Sequence, residues 1–279
     1  MSGRAWSGRE RWYFPMSNLP PAHSFLAADP LRLREGDKPL IVSAALKGDK
    51  VAQLWRTTPE GTQRVRLTQE SRACQSPRWS ADGKRISYGL SIGKTDDAGD
   101  DILEWYECDE NGKNKKRSAP PTPEPEKSTI TPIKTEDYVT GFRVGNAPPK
   151  TITLSPAAHK LFDETGISGG ILRLSALPHN PSAVLGVQLA GGNREGKWHT
   201  AVLVNLATGK AEPWGEYGWS GFCVSPDHKR FVTCFNRMVN GKEEHVLCLG
   251  SLSAPRKLTR ILTSSQRLHA DWRGGTRVL

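Results

Sequence analysis

The stretch Ser76–Ser91, "SPRWSADGKRISYGLS", sets a Pro and a Trp before a tight Ser-Ala-Asp-Gly turn. A strand follows in which Ile86, Tyr88 and Leu90 alternate onto one face. Its parts recur. "VSPDHKRFVTCFN" (224–236) repeats the turn with His228 in the place of Gly83, and "DWRGGTRVL" (271–279) repeats it with Gly275. From His228 to Gly275 is 47 residues, and the same step back from Gly83 reaches Gly36 in "LREGDKPLIVSAAL". About 46 residues before His228 lies Ser182, in "PHNPSAVLGVQL". The interval from Gly83 to Ser182 is 99 residues, or two steps, so one unit is degenerate across "KSTITPIKTEDYVTGF" (127–142). "TITLSPAAHKLF" (151–162) falls off this grid, and is either the turn of the degenerate unit or a chance match.

Each unit has a second half built around another turn: "VAQLWRTTPEGTQRVRLT" with Gly61, "DILEWYECDENGKNKKR" with Gly112, "HTAVLVNLATGKAEPW" with Gly209, and "EHVLCLGSLSAPRKLT". Turns of the Asp-Gly kind then separate four strands per unit. A four-stranded sheet cannot bury both faces alone, so the units must pack on one another. Four strands at a period of about 40–50 residues describe β-propeller blades. The expected fold is all-β, with about six four-stranded antiparallel blades. A leucine-rich repeat needs a shorter period, and a helical solenoid needs amphipathic helices, of which none is expected.

These units resemble the TolB-like family of WD-type β-propeller repeats. The resemblance rests on Pro77, Trp79, Ser80, Asp82, Gly83 and Ile86 in one unit, and on Ser225, Pro226 and Asp227 in another, where Val224 stands for the Trp. Asp271, Trp272, Gly275 and Val278 carry it at the end, while Ile102, Asp109, Gly112 and the segment 57–68 fit the second half. It covers most of residues 31–279. Propellers of this kind serve as protein-binding modules, as gates of oligopeptidases and as metal-dependent lyases of pectin fragments, so the resemblance implies a fold more than an activity. Closure of such a ring often borrows a strand from the other terminus, and "ERWYFPMS" (10–17), within an N-terminal segment 1–30, is the candidate. The remainder, 31–279, is expected as one propeller with a Pro-rich insertion near 118–132.

Composition narrows the rest. The 279 residues carry a net charge of +10, with 27 Gly, 20 Pro and nine Trp, and mean hydropathy is −0.54. Excess positive charge favours acidic partners, but the densest run is only "KNKKR" (113–117), which reads as a solvated face. The five cysteines form no CxxC pair and no zinc spacing, and are expected as small buried core residues. No apolar run reaches the roughly 18 residues that span a bilayer. No secretory signal is written, so the chain is expected in the cytoplasm, or outside it if the N-terminus is incomplete.

Ligands of a propeller sit where inner strands face the channel. In "RLHADW", His269 and Asp271 share one face, opposite Leu268, Ala270 and Trp272, and in "QSPRW" Ser76 and Arg78 hold the matching face. These four residues are the candidate channel-facing site, although such side chains also serve to hydrate a channel or fix blade contacts. Asp82 and Asp227 are expected to pin turns, and Trp79 and Trp272 to wedge between blades. "SIGKTDD" lacks the spacing of a phosphate loop and reads as an exposed hairpin end. The leading expectation is a monomeric, non-catalytic module, without cofactor, that binds a protein or an anionic glycan. One alternative is a polysaccharide lyase of the oligogalacturonate type, with His269 ligating a divalent metal. Another is a propeller domain of a larger peptidase or sensor. No nucleic-acid motif is present.

Overall fold

The computed structural model describes residues 37–46, 48–97, 100–121, 129–164, 170–177, 180–191, 197–218, 221–239 and 242–278. The candidate closing strand 10–17 and the turn glycine Gly36 lie outside them. The described chain is all-β, in five sheets. In strand order, the first sheet is His269–Trp272, Leu40–Ala44, Gln53–Thr57 and Arg64–Arg66. The second is Cys74–Trp79, Arg85–Thr95, Asp101–Asp109 and Lys116–Arg117. The third has three strands, Ile130–Thr135, Tyr138–Val144 and Lys150–Thr151. The fourth is Arg173–Ala176, Ala183–Gly191, Lys197–Asn205, Lys210–Gly218 and Thr153–Leu154. The fifth is Thr276–Val278, Phe222–Val224, Arg230–Val239, Lys242–Ser251 and Ala254–Ser264. Pairing is antiparallel except where Thr153–Leu154 runs parallel to Lys210 and Ala211.

The repeated turns are the same object in atomic detail. Ser80 Oγ donates to Asp82 Oδ1 at 2.6 Å and accepts from the Arg85 N–H at 3.0 Å, while Asp82 Oδ1 accepts from the Lys84 N–H at 3.0 Å. Ser225, Asp227, Lys229 and Arg230 repeat all three bonds, at 2.5, 3.2 and 3.0 Å. Position 83 requires a left-handed backbone (φ +67°), which Gly supplies; His228 adopts the same conformation at φ +55°. Asp82 and Asp227 are thus turn acceptors, and the hydrogen bonds from Ser80 and Ser225 hold their carboxyls below the usual carboxylate range.

Burial on both faces explains why Leu40–Ala44 is apolar at every position but Ser43, and every residue of it is buried. Leu40, Val42 and Ala44 join Cys223, Val232 and Leu247 of the fifth sheet. On the opposite face Ile41 joins Trp79, Ile86 and Tyr88 of the second. Leu185, Val187 and Trp214 of the fourth sheet pack with Phe222 and Phe231 of the fifth. Val184, Val202 and Val204 of the fourth pack with Val139 and Phe142 of the third. The sheets therefore follow one another as third, fourth, fifth, first and second, each neighbouring pair sharing an apolar layer worth about 1.5–3 kcal/mol per fully buried large side chain.

Trp79 and Trp272 do sit in these layers, each under an arginine, one from the turn after His269–Trp272 and one from Arg230–Val239. The Arg273 guanidinium lies 5.3 Å from the Trp79 ring and pairs with Glu110 at 2.8 Å. Arg230 lies 5.3 Å from the Trp272 ring and pairs with Asp37 at 2.6 Å and Glu60 at 3.4 Å.

Three features differ from the expectation. "DWRGGTRVL" is not a hairpin: His269–Trp272 pairs with Leu40–Ala44, whereas Thr276–Val278 pairs with Phe222–Val224 in another sheet. The left-handed residue is Gly274 (φ +67°), not Gly275. The C-terminal partial unit is therefore divided between the N-terminal unit's sheet and the fifth, and the described residues form five sheets. Second, "TITLSPAAHKLF" is no blade turn, since Pro156–Glu164 is an α-helix. Ser155 caps it by accepting from the Ala158 N–H at 3.2 Å, and Pro156 takes the first helical position. Third, Ile130–Thr135 is already strand, so the Pro-rich insertion gives way to sheet before Pro132; that proline sits on an edge strand, where no ladder donor is needed.

The second-half turns impose a further constraint. Gly61, Gly112 and Gly209 have φ of +69°, +76° and +75°, and each lies against a backbone carbonyl of the adjacent sheet. A methyl at Gly112 would stand 2.2 Å from the Leu67 carbonyl oxygen, whereas Gly93, also left-handed, has open space around it. Gly93→Ala is expected to cost about 1 kcal/mol in urea denaturation, the strain of the backbone alone. Gly112→Ala is expected to cost more than about 3 kcal/mol, because two sheets must also separate. Equal costs would show that the close approach is not tight.

Candidate functional site

Of the candidates, Asp271 stands where three sheets meet, Arg78 and His269 lie near enough to feel the charges there, and Ser76 lies two residues before Arg78 on its strand. In Cys74–Trp79 the register passes from Gln75 opposite Gly89 to Arg78 opposite Ser87, a β-bulge that places Ser76 at φ +47°. A bulge re-aims the residues beyond it, and Ser76 and Arg78 are both half-buried. In His269–Trp272, His269 lies opposite Ser43 and Asp271 opposite Ile41, while Ala270 and Trp272 face the other apolar layer. His269 and Asp271 share a face, as their spacing implies.

Asp271 is fully engaged. Its Oδ2 accepts from the backbone N–H of Trp79 in the second sheet at 2.8 Å. Its Oδ1 accepts from the Cys223 thiol at 3.5 Å and from Arg277 Nη2 at 3.5 Å, both in the fifth sheet. Cys223 also accepts from the Trp272 N–H at 3.4 Å. Burial, reinforced by the neighbouring Asp271, pushes the Cys223 thiol far above its ordinary range, so it remains a protonated donor. Cys234 is likewise pushed up, to about 12, by burial, and all five cysteines are free thiols.

The remaining groups are less satisfied. Arg277 Nη2 donates to the Ala270 carbonyl at 3.1 Å, but its Nε is buried without a partner among the described residues. The His269 Nε2 is buried and also unpartnered. Burial holds the His269 imidazole far below its ordinary value, to about 3, and repulsion from Arg267, Arg277, His245 and Arg78 adds to it. The Arg78 guanidinium is lowered first by burial and then by Arg277, with Asp271 opposing. Sequence reasoning singled out Ser76, Arg78, His269 and Asp271 as candidates; it did not anticipate that Arg277 and Cys223 bond Asp271. The alternation of Thr276, Arg277 and Val278 was a usable signal for a facing arginine; its sheet was not.

The densest basic run is partly paired with glutamates. Within "KNKKR", Lys115 pairs with Glu70 at 2.7 Å, Lys116 with Glu107 at 2.6 Å and Arg117 with Glu104 at 3.5 Å. Among the described residues no group of three His, Cys, Asp or Glu is placed to hold a metal, and no helix is long and apolar enough to cross a membrane.

No protein-family model matches the chain, and no curated protein matches it by sequence. Solved structures that resemble it include TolB from Acinetobacter baumannii, at 13% identity and a TM-score of 0.41 over 85% of this chain and 66% of that one. Hydrazine synthase of Kuenenia stuttgartiensis follows at 9% identity and a TM-score of 0.29, over 80% of this chain and 39% of that one. A Bacteroides uniformis chain assigned provisionally as a 6-phosphogluconolactonase has 8% identity and a TM-score of 0.30, over 84% of both. The chain thus spans just under two thirds of the TolB chain, and likeness at these levels says nothing of activity.

Two outcomes follow from the junction. Asp271→Asn is expected to lower stability by about 3 kcal/mol, since it strips the charge from a buried pair and turns an amide toward donors. Asp82→Asn, on an exposed turn, is expected to shift the urea midpoint much less. For pH, the unfolded chain protonates its histidines from about 6.5 downward, whereas folded His269 resists until about 3 and His199, depressed by burial and Arg173, until about 4. Their contribution is therefore intact above about pH 6.5 and is lost as pH falls toward those values. Each His contributes at most about 1.4 kcal/mol per pH unit. Between pH 6.5 and 4.5, a His199→Gln, His269→Gln double variant is expected to show a flatter fall in stability than the parent; an unchanged slope would assign the fall to other groups.

Proposed function

We propose that the chain is a β-propeller that acts as a non-catalytic binding module, receiving an acidic group of a protein partner at the face formed by Ser76, Arg78, His269 and Asp271. The propeller reading is supported by the succession of sheets sharing apolar layers, and by the first sheet taking its inner strand from the far end of the chain. The observation that carries the function is Arg78. Its half-buried guanidinium makes no hydrogen bond or ion pair among the described residues, while Asp271 beside it is committed to Trp79, Cys223 and Arg277. An arginine kept in that setting lacks a structural partner, and a ligand carboxylate suits its planar fork.

A protein is favoured over an anionic glycan because the proposed contact is a single half-buried guanidinium, whereas the densest basic run is partly paired with Glu70, Glu104 and Glu107. A divalent cation at His269 is disfavoured by the surrounding Arg78, Arg267 and Arg277 charges. The test is affinity capture at physiological salt. A protein retained by the parent and by Lys84→Ala, on an exposed turn, but released by Arg78→Gln supports the proposal. Retention that ignores Arg78, or no retention, overturns it. Formation of unsaturated uronides from oligogalacturonate with added divalent metal would establish the lyase alternative instead.

A further inference from the structure

Two buried nitrogens at the junction, His269 Nε2 and Arg277 Nε, find no protein partner among the described residues. Leaving such groups unpaired costs about 1–3 kcal/mol each, so native proteins rarely do so without another use for them. Both residues line one small cavity of about 10 Å³, together with Cys223, Thr233, Cys234 and Ala270. That volume admits about one oxygen atom. The other polar walls are already engaged: Thr233 Oγ1 accepts from the Gly218 N–H at 2.7 Å and donates to the Gly221 carbonyl at 3.0 Å.

Charge around the cavity is one-sided. Arg78 and Arg277 each act on His269, as do Arg267 and His245, and Arg277 also acts on Arg78. Among the charged groups acting on Arg78, Asp271 is the carboxylate, and it already carries the ion pair to Arg277. Two guanidinium groups thus share one acid. Neutral, buried thiols on the wall add no negative charge.

We propose that Arg78, His269 and Arg277 form a binding site for one small oxyanion, a carboxylate or a tetrahedral phosphate or sulfate. One oxygen enters the cavity to accept from His269 Nε2 and Arg277 Nε, and Arg78 meets the remaining charge from the half-exposed side. A cation is repelled by the same arginines, and an apolar ligand leaves both nitrogens unpaired. The inference rests on the binding-module reading only for the face involved; it adds the chemistry of the ligand and the donors that select it.

The test uses the full chain, with sodium acetate, phosphate or sulfate titrated at constant ionic strength against chloride. The expected result is a saturable rise in Tm with at least one of the three, which also shows whether carboxylate or tetrahedral oxyanion is preferred. Arg78→Gln and His269→Gln are expected to weaken the apparent affinity at least fivefold. Arg78 has no structural partner to lose, so its variant serves even if His269→Gln folds poorly. The proposal falls if no anion gives a saturable response, if Arg78→Gln responds like the parent, or if a crystal grown at saturating anion holds only water against His269 Nε2 and Arg277 Nε. If the anions are silent yet partner capture still depends on Arg78, the binding module stands and this site does not. If the anions bind and no protein is captured, the reverse holds.

Discussion

Asp271 is the constraint on which the arrangement of sheets turns. One carboxylate accepts from the second sheet through the Trp79 N–H, and from the fifth through Cys223 and Arg277, while its own strand completes the first. Apolar layers fix the spacing between neighbouring sheets but are tolerant of sliding, because burial has no direction. A buried carboxylate with three directed donors is not tolerant, so it sets the angle and register at which the sheets meet. The bulge at Ser76 lies on the same strand, three residues before the Trp79 N–H that meets the carboxylate.

Much of this was legible in the sequence where the physics is local. The Ser-x-Asp turn at 80–85 and its copy at 225–230 are readable because side chain and backbone satisfy one another within six residues. Gly61, Gly112 and Gly209 marked turns correctly for the same reason. The alternation of His269 and Asp271 against Ala270 and Trp272 also survives, since a strand has only two faces.

What failed was whatever depended on which strand finds which. Arg273, Gly274 and Gly275 resemble a hairpin turn in composition, yet the strands on either side of them join different sheets, and Arg277 is thereby delivered to Asp271 from the fifth. Composition cannot report that choice, which is settled by the apolar layers on both faces of Leu40–Ala44. The helix Pro156–Glu164 was a different kind of miss: Ser155 and Pro156 announced it locally, but the search for a repeat had already claimed the segment.

The pairing of His269–Trp272 with Leu40–Ala44 has a consequence for how the molecule is made. Residues such as Trp272 and Lys38, hydrogen-bonded through the indole N–H, are 234 positions apart. Leu40–Ala44 therefore leaves the ribosome long before its inner partner exists, with an unpaired hydrogen-bonding edge and two largely apolar faces awaiting cover. Such distant closure is slow, because the loop entropy must be met before the contacts form. Until His269–Trp272 arrives, this segment is a place where a nascent chain is exposed to pairing with another copy of itself.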